Sequence, residues 1–88
     1  MNTTNLTTFI TVMQTGSISG AAEKLFITQP AVSKRIKNLE DEFKVTLFDT
    51  LGRGIVPTAA ANELLPHAKR WLDDYDNFKI NIQNSQQT

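Results

Sequence analysis

Apolar positions in the first part of the chain recur at spacings of three and four, which is the period of an amphipathic α-helix. One run lies between Thr4 and Thr15 and is predicted to end at Gly16. A second, shorter run extends from Ser17, a favourable N-cap residue, to Leu25. The apolar faces of these two predicted helices consist of Leu6, Phe9, Ile10 and Met13, and of Ile18, Ala21, Ala22 and Leu25.

The next periodic segment predicts a third helix, from Thr28 to about Phe43, with one apolar and one polar side. Thr28 is a suitable cap, and Pro30 lies in the first turn, where its missing N–H breaks no helical hydrogen bond. The apolar stripe spans about 60° of the helical wheel and consists of Val32, Ile36, Leu39 and Phe43. The opposite side carries Gln29 at its N-terminal edge, followed by Pro30, Ser33, Lys34, Lys37 and Asp41.

Beyond the third helix, two apolar pairs flank a glycine-containing loop. The pairs are Leu47-Phe48 and Ile55-Val56, and the loop runs from Asp49 to Gly54. This arrangement predicts a small β-hairpin with very short arms.

The last segment predicts a long helix that begins after the cap residue Thr58 and ends near Gln83. Its apolar residues alternate at three and four, a heptad seam typical of helices that pair. We interpret the seam as a dimerisation surface, because so long a helix extends past a domain of residues 1–58. The alternative is that its aromatic side chains pack on the chain's own domain. The seam consists of Ala61, Leu64, Ala68, Trp71, Tyr75, Phe78 and Ile82.

The composition excludes several classes of protein. With 88 residues, the chain has room for one small domain and a protruding element. It has no cysteine and one histidine, His67, and we find no nucleophile–base pair, phosphate-binding glycine loop or metal-ligand cluster. The sequence therefore predicts no enzyme, no metal and no cofactor. No apolar run approaches the ~20 residues of a membrane span, and no secretory signal begins the chain, so we expect a cytoplasmic protein with no membrane partner.

The charge of the chain is neutral on average but uneven along its length. Nine basic residues balance nine acidic ones. Four of the basic residues lie between Lys24 and Lys37, a stretch without any acidic residue. A locally basic face is compatible with binding phosphates. The alternatives are an ordinary solvated surface and a helical module whose basic face 24–37 binds an acidic partner.

The second and third helices together predict a helix-turn-helix, since a tight connector joins them and the second of the two is polar and basic outside. Ala22 and Val32, ten residues apart, fit the positions where the two helices cross. Phe26 occupies a turn position where many such motifs have glycine, which predicts either a different turn geometry or mild strain.

Over residues 3 to 83 the chain resembles the N-terminal DNA-binding portion of LysR-type transcriptional regulators. The resemblance is most specific in the run Thr28-Gln29-Pro30-Ala31-Val32-Ser33, with Leu39-Glu40 beyond it. It implies a mainly α-helical fold, a winged helix-turn-helix of three helices and a short β-hairpin wing in residues 1–58, followed by a linker and dimerisation helix with a polar tail in 59–88. It also implies that a C-terminal effector-binding domain is absent from this chain.

The resemblance further implies a set of contacts with double-stranded DNA. Gln29, Pro30, Ser33 and Lys34 match base-proximal positions of the family, with the recognition helix of about 28–43 in the major groove. Gln29 has the chemistry to pair with adenine and Pro30 to contact a thymine methyl group, while Lys34 could reach guanine or a phosphate. Phosphate contacts are expected from Lys37, which lies further along the helix, and from Thr28 at its N-terminus.

The remaining implications concern the wing and the assembly. A wing of about 47–57 would lie near the minor groove, yet its only cation is Arg53, where the family is usually rich in arginine. The resemblance implies a homodimer on a dyad-symmetric operator through the linker helix, with higher oligomers only when the effector domain is present.

Overall fold

The computed structural model describes residues 2–52 and 54–86 and confirms the predicted order of elements. Four helices and one hairpin are present in this part of the chain, so the mainly helical winged fold is confirmed. The hairpin arms are longer than expected, because most of the predicted loop 49–54 is strand. The elements are α1 (Thr3–Thr15), α2 (Ile18–Leu25), α3 (Gln29–Phe43), β1 (Phe48–Leu51), β2 (Gly54–Pro57) and α4 (Ala59–Gln86).

The core lies where α1, α2 and α3 meet and is closed on one side by the first half of α4. The predicted apolar faces of the three short helices point into it, since burial of these side chains is what stabilises short helices in water. Phe9 lies at its centre, and its ring is 5.8 Å from that of Phe48 at the start of β1. The fully or nearly fully buried apolar residues are Leu6, Phe9, Val12, Ala21, Ala22, Val32, Ile36, Leu39, Leu47, Ala61 and Ala68.

Side-chain caps set the starts of the helices. The Ser17 hydroxyl accepts a hydrogen bond of 2.9 Å from the Gly20 amide, and the Thr28 hydroxyl accepts one of 3.2 Å from the Ala31 amide. The first cap also explains the glycine inside α2: a Cβ atom at position 20 would lie 2.7 Å from the Ser17 hydroxyl oxygen. Glycine therefore keeps the cap in place at the cost of helix propensity.

The turn between α2 and α3 contains the strain that the bulky residue at position 26 predicts. Phe26 has a φ of 57°, in the left-handed region that glycine adopts without penalty. The turn thus keeps the backbone shape of a glycine turn, and the alternative of a different geometry is wrong. The Phe26 side chain is 94% exposed, so no packing within the domain offsets this strain.

The end of α3 carries a second non-glycine residue in the left-handed region, Lys44, with a φ of 58°. Its side chain is exposed, so we expect Lys44→Gly to raise the free energy of unfolding by about 0.5–1 kcal/mol through relief of backbone strain. Asn38→Gly, at an exposed position inside α3, is the matched control and should lower stability by up to about 0.5 kcal/mol, because glycine has a lower helix propensity than asparagine. Urea midpoints at constant m-value measure both effects, and a lower midpoint for Lys44→Gly would refute the strain.

Side-chain hydrogen bonds hold the base of the hairpin together and connect it to α3 and α4. A Glu40 carboxylate oxygen accepts a 2.7 Å hydrogen bond from the Leu47 amide. The Thr58 hydroxyl donates to the Thr46 carbonyl at 2.6 Å and accepts from the Ala61 amide at 3.2 Å, so that it also caps α4. The position of the wing relative to α3 and α4 is therefore fixed at its base.

Candidate nucleic-acid interface

The polar side of α3, together with its cap residue Thr28, forms an exposed strip. Six of the seven residues predicted to contact DNA are on it and all six are exposed: Thr28, Gln29, Pro30, Ser33, Lys34 and Lys37. The seventh, Arg53, lies outside the described residues. The structure thus brings the predicted reading positions together on one accessible helix face.

The strip borders an open groove of about 570 Å³ between α3 and the wing. Gln29, Pro30 and Ser33 form the α3 side of the groove, which is the part of the strip nearest the helix N-terminus. The remaining lining comes from the start of α2 and from the hairpin, namely Ser17, Ile18, Ser19, Thr50, Gly52, Gly54 and Ile55. Short hydroxyl and amide groups beside small apolar surfaces are suited to the edges of bases and the methyl group of thymine.

Two of the four basic side chains between positions 24 and 37 are engaged with α1 instead of the outer face. The Arg35 guanidinium donates a 3.3 Å hydrogen bond to the Thr8 hydroxyl, which is buried. The Lys24 ammonium donates a 3.2 Å hydrogen bond to the side-chain carbonyl of Gln14. The outward cations of α3 are therefore Lys34 and Lys37.

Lys37 has a partner that the sequence interpretation missed. Its ammonium nitrogen lies 3.2 Å from a carboxylate oxygen of Asp41, one helical turn further on, and the two side chains are 69% and 64% exposed. The signal was present in the sequence, because oppositely charged residues four positions apart on a helix commonly pair. The basic strip of α3 thus ends in an ion pair.

The seam of α4 is divided between the domain core and solvent. Ala61 and Ala68 are completely buried within the chain, so they have no surface left for a partner. Leu64 is half-buried against the same core, and Trp71 stacks on Phe43 with ring centroids 6.3 Å apart and planes 12° from parallel. The interpretation of all seven seam residues as a partner-facing surface therefore needs correction.

The outer half of the seam remains exposed. Tyr75, Phe78 and Ile82 are 48%, 63% and 46% exposed on the part of α4 that extends beyond the core. Ile80 is 54% exposed as well. Residues two positions apart on an α-helix differ by about 200° around the axis, so Ile80 lies on a different face from Phe78 and Ile82.

A membrane-spanning helix is not found in the part of the chain that the structure describes.

The family model for bacterial regulatory helix-turn-helix proteins of the lysR family matches residues 3–62. Over 84 residues the chain is 46% identical to an uncharacterized HTH-type transcriptional regulator in the ibpB-leuC intergenic region of Azotobacter vinelandii, covering 96% of this chain and 58% of that protein. It is 44% identical over 78 residues to the HTH-type transcriptional activator AllS of Klebsiella pneumoniae, covering 89% of this chain and 29% of the activator. The chain thus spans only part of the length of these relatives, which are regulators and not enzymes.

Solved structures share the whole architecture, including the long last helix. The chain in the crystal structure of a CbnR_DBD–DNA complex superimposes with a TM-score of 0.91 at 29% identity, covering 97% of this chain and 98% of that one. The chain in a BenM_DBD/benA site 1 DNA complex superimposes with a TM-score of 0.85 at 28% identity, covering 96% and 94%. Both similarities extend through α4, so the helix belongs to the shared fold.

Proposed function

The chain belongs to the LysR family of bacterial regulatory helix-turn-helix proteins, and on that premise we propose that it binds double-stranded DNA in a sequence-specific way as part of a transcriptional regulator. The observation that carries this proposal is the exposed strip of six residues, Pro30 and five polar or basic residues, along α3 and its cap beside the groove between α3 and the wing. The two similar chains described above were crystallised as DNA complexes, which supports the same use of the fold. The proposed location is the cytoplasm, where a bacterial regulator meets its DNA.

In the proposed complex, α3 enters the major groove with its N-terminal turns against the base edges. Gln29 pairs with an adenine edge, Ser33 donates to or accepts from a neighbouring base, and Pro30 packs on a thymine methyl group. Lys34 reaches a guanine or a phosphate. The backbone amides at the start of α3, with Thr28, face a phosphate, and Lys37 contacts the phosphate backbone from the next turns.

The dimer is proposed to form through the exposed half of the α4 seam. An aromatic side chain buries about 150–250 Å² when it is covered, so two copies that cover Tyr75 and Phe78 remove a substantial apolar surface from water. Pairing about a two-fold axis would present two α3 helices to two half-sites of a dyad-symmetric operator. Residues 1–58 would then read DNA and 59–88 would join the copies, although the first half of α4 also completes the domain core. Higher oligomers would require the effector domain.

A helical module that binds an acidic protein is the weaker alternative. It relied on a basic face spanning residues 24–37, but two of the four cations on that face, Lys24 and Arg35, donate hydrogen bonds to side chains of α1. DNA recognition, by contrast, needs only a few cations for phosphates beside uncharged side chains that contact the bases.

The proposed function is tested by selecting bound duplexes from a random pool with the wild-type chain. The expected product is an enriched dyad-symmetric duplex whose half-sites are about one helical turn, or a multiple of it, apart. Ser33→Glu places a negative charge among the residues proposed to contact bases. This variant should bind none of the selected duplexes while keeping the wild-type circular dichroism spectrum. A pool without enrichment, or equal selection by the variant, would contradict DNA reading by α3.

The wing should contribute modestly to affinity, because Arg53 is its only cation. We expect Arg53→Ala to weaken binding by roughly 1 kcal/mol or less, to the same extent on different sequences, as removal of one phosphate or groove interaction would. Arg70→Ala on α4 is a control with the same charge change. Fluorescence anisotropy with several duplexes measures the effect, and a weakening of several kcal/mol confined to one base position would show that the wing reads sequence.

A further inference from the structure

The outer face of α3 carries an acidic residue at the point where the proposed phosphate contacts end. Pro30, Lys34, Lys37 and Asp41 lie within about 60° of one another on the helical wheel, and Asp41 is about 6 Å beyond Lys37 along the axis. A carboxylate at this place faces the same surface that would meet the DNA backbone.

The neighbouring carboxylate, that of Glu40, has a structural role. Glu40 is half-buried, and its oxygen accepts the Leu47 amide hydrogen at 2.7 Å, which fixes the base of the wing. Asp41 holds no such structural hydrogen bond among the described residues, and its described partner is the Lys37 ammonium at 3.2 Å. The contribution of Asp41 to the fold is therefore limited to one exposed ion pair within α3, which stabilises a helix only slightly.

We propose that Asp41 is an intramolecular competitor for Lys37 that lowers the affinity of the chain for any DNA duplex. This inference rests on the proposed function. In the free protein the Lys37 ammonium is paired with the Asp41 carboxylate. A DNA phosphate can therefore pair with Lys37 only by replacing that carboxylate. The displaced carboxylate then lies close to the phosphates and repels them. Since charge contacts supply most of non-specific binding, Asp41 limits retention of the protein on DNA that lacks its operator.

The size of the effect follows from the exposure of the pair. An exposed ion pair contributes about 0–1 kcal/mol, which corresponds to at most about a five-fold change in affinity per half-site. We therefore expect Asp41→Asn to tighten binding about 2–5-fold for each half-site occupied, on operator and scrambled DNA alike. It should also increase the magnitude of the log K against log salt slope, by up to about one unit per half-site.

The experiment measures anisotropy at several salt concentrations for wild type, Asp41→Asn, Lys37→Ala and the double variant. Asp73→Asn, at an exposed position of α4 about 200° from Trp71, is the control with the same charge change. The expected result is tighter binding by Asp41→Asn, a smaller gain when Lys37 is already alanine, and no comparable gain from Asp73→Asn.

Two outcomes would overturn the inference. One is equal affinity of Asp41→Asn and wild type, in an experiment where wild type binds duplex and Lys37→Ala weakens it. The other is an equal gain from Asp41→Asn and Asp73→Asn, which would assign the effect to net charge. Failure of the wild-type chain to bind any duplex would instead contradict the proposed function itself, so the two failures are distinguishable.

Discussion

Gln29→Ala is expected to lower affinity for the operator by about 1–3 kcal/mol per base contact while leaving affinity for scrambled DNA nearly unchanged. The side chain is neutral and exposed at the N-terminal end of α3, on the wall of the wing groove. Its removal would delete the proposed base contact without changing the charge that drives non-specific binding. The salt dependence should therefore stay at the wild-type value. Ser33→Ala should behave in the same way at a neighbouring base position.

Lys37→Ala is the counterpart that separates base reading from phosphate anchoring. This substitution should weaken binding to operator and scrambled DNA alike, and reduce the magnitude of the salt slope by about one unit per half-site for each phosphate that the lysine neutralises. Anisotropy against both duplexes at four or more salt concentrations resolves the two patterns. If Gln29→Ala and Lys37→Ala changed affinity and slope in the same manner, α3 would not be divided into reading and anchoring positions.

Phe78→Ala is expected to prevent the proposed dimer from forming and thereby to abolish most of the operator affinity. Phe78 is 63% exposed on the outer half of the α4 seam, so its truncation removes apolar surface from the proposed interface without opening the monomer core. Trp71 is a poorer choice for this test, because its ring stacks on Phe43 and its removal would also disturb the domain. Two half-sites bound by unlinked monomers lack the affinity gain of simultaneous engagement, which is commonly a factor of about 100 or more.

Ile80→Ala is the matched control for the proposed dimer interface. It truncates a similarly exposed apolar side chain of the same helix on another face, and it should leave both the dimer and the operator affinity intact. Sedimentation velocity over a range of micromolar concentrations gives the association state of each variant. A wild-type chain that stays monomeric throughout, or equal weakening by Phe78→Ala and Ile80→Ala, would show that the seam is not the interface.

Helix positions can be predicted well from the sequence because their determinants are local. Ser17, Thr28 and Thr58 precede apolar runs as caps, and the structure gives each of them the expected hydrogen bond to a backbone amide. The sequence predicts a longer hairpin loop than the structure has, since Asp49 and Thr50 have no apolar pattern of their own. They become strand because the backbone of β1 pairs with β2, with Asp49 opposite Val56 and Thr50 opposite Ile55.

The division of the α4 seam could not be predicted, because periodicity shows which side of a helix is apolar but not what covers it. Ala61 and Ala68 continue the same heptad pattern as Phe78, yet they are covered by their own domain. The hydrogen bond from Arg35 to Thr8 could not be predicted from local sequence patterns either, because the two residues are 27 positions apart in the sequence. The exposure of the proposed recognition positions was predictable, because the polar side of α3 follows from its helical period.

Cross-linking from Ser33→Cys tests most directly whether α3 lies in the major groove. The chain contains no cysteine, so this thiol is unique, and it can form a disulfide with a thiol tethered to a base edge on the major-groove side. Asn77→Cys, exposed on α4, is the control for chance encounter. The account predicts that Ser33→Cys cross-links at one or two adjacent base positions in each half-site of the selected operator and that Asn77→Cys does not. A duplex bound with wild-type affinity that cross-links Ser33→Cys at no major-groove position would contradict it.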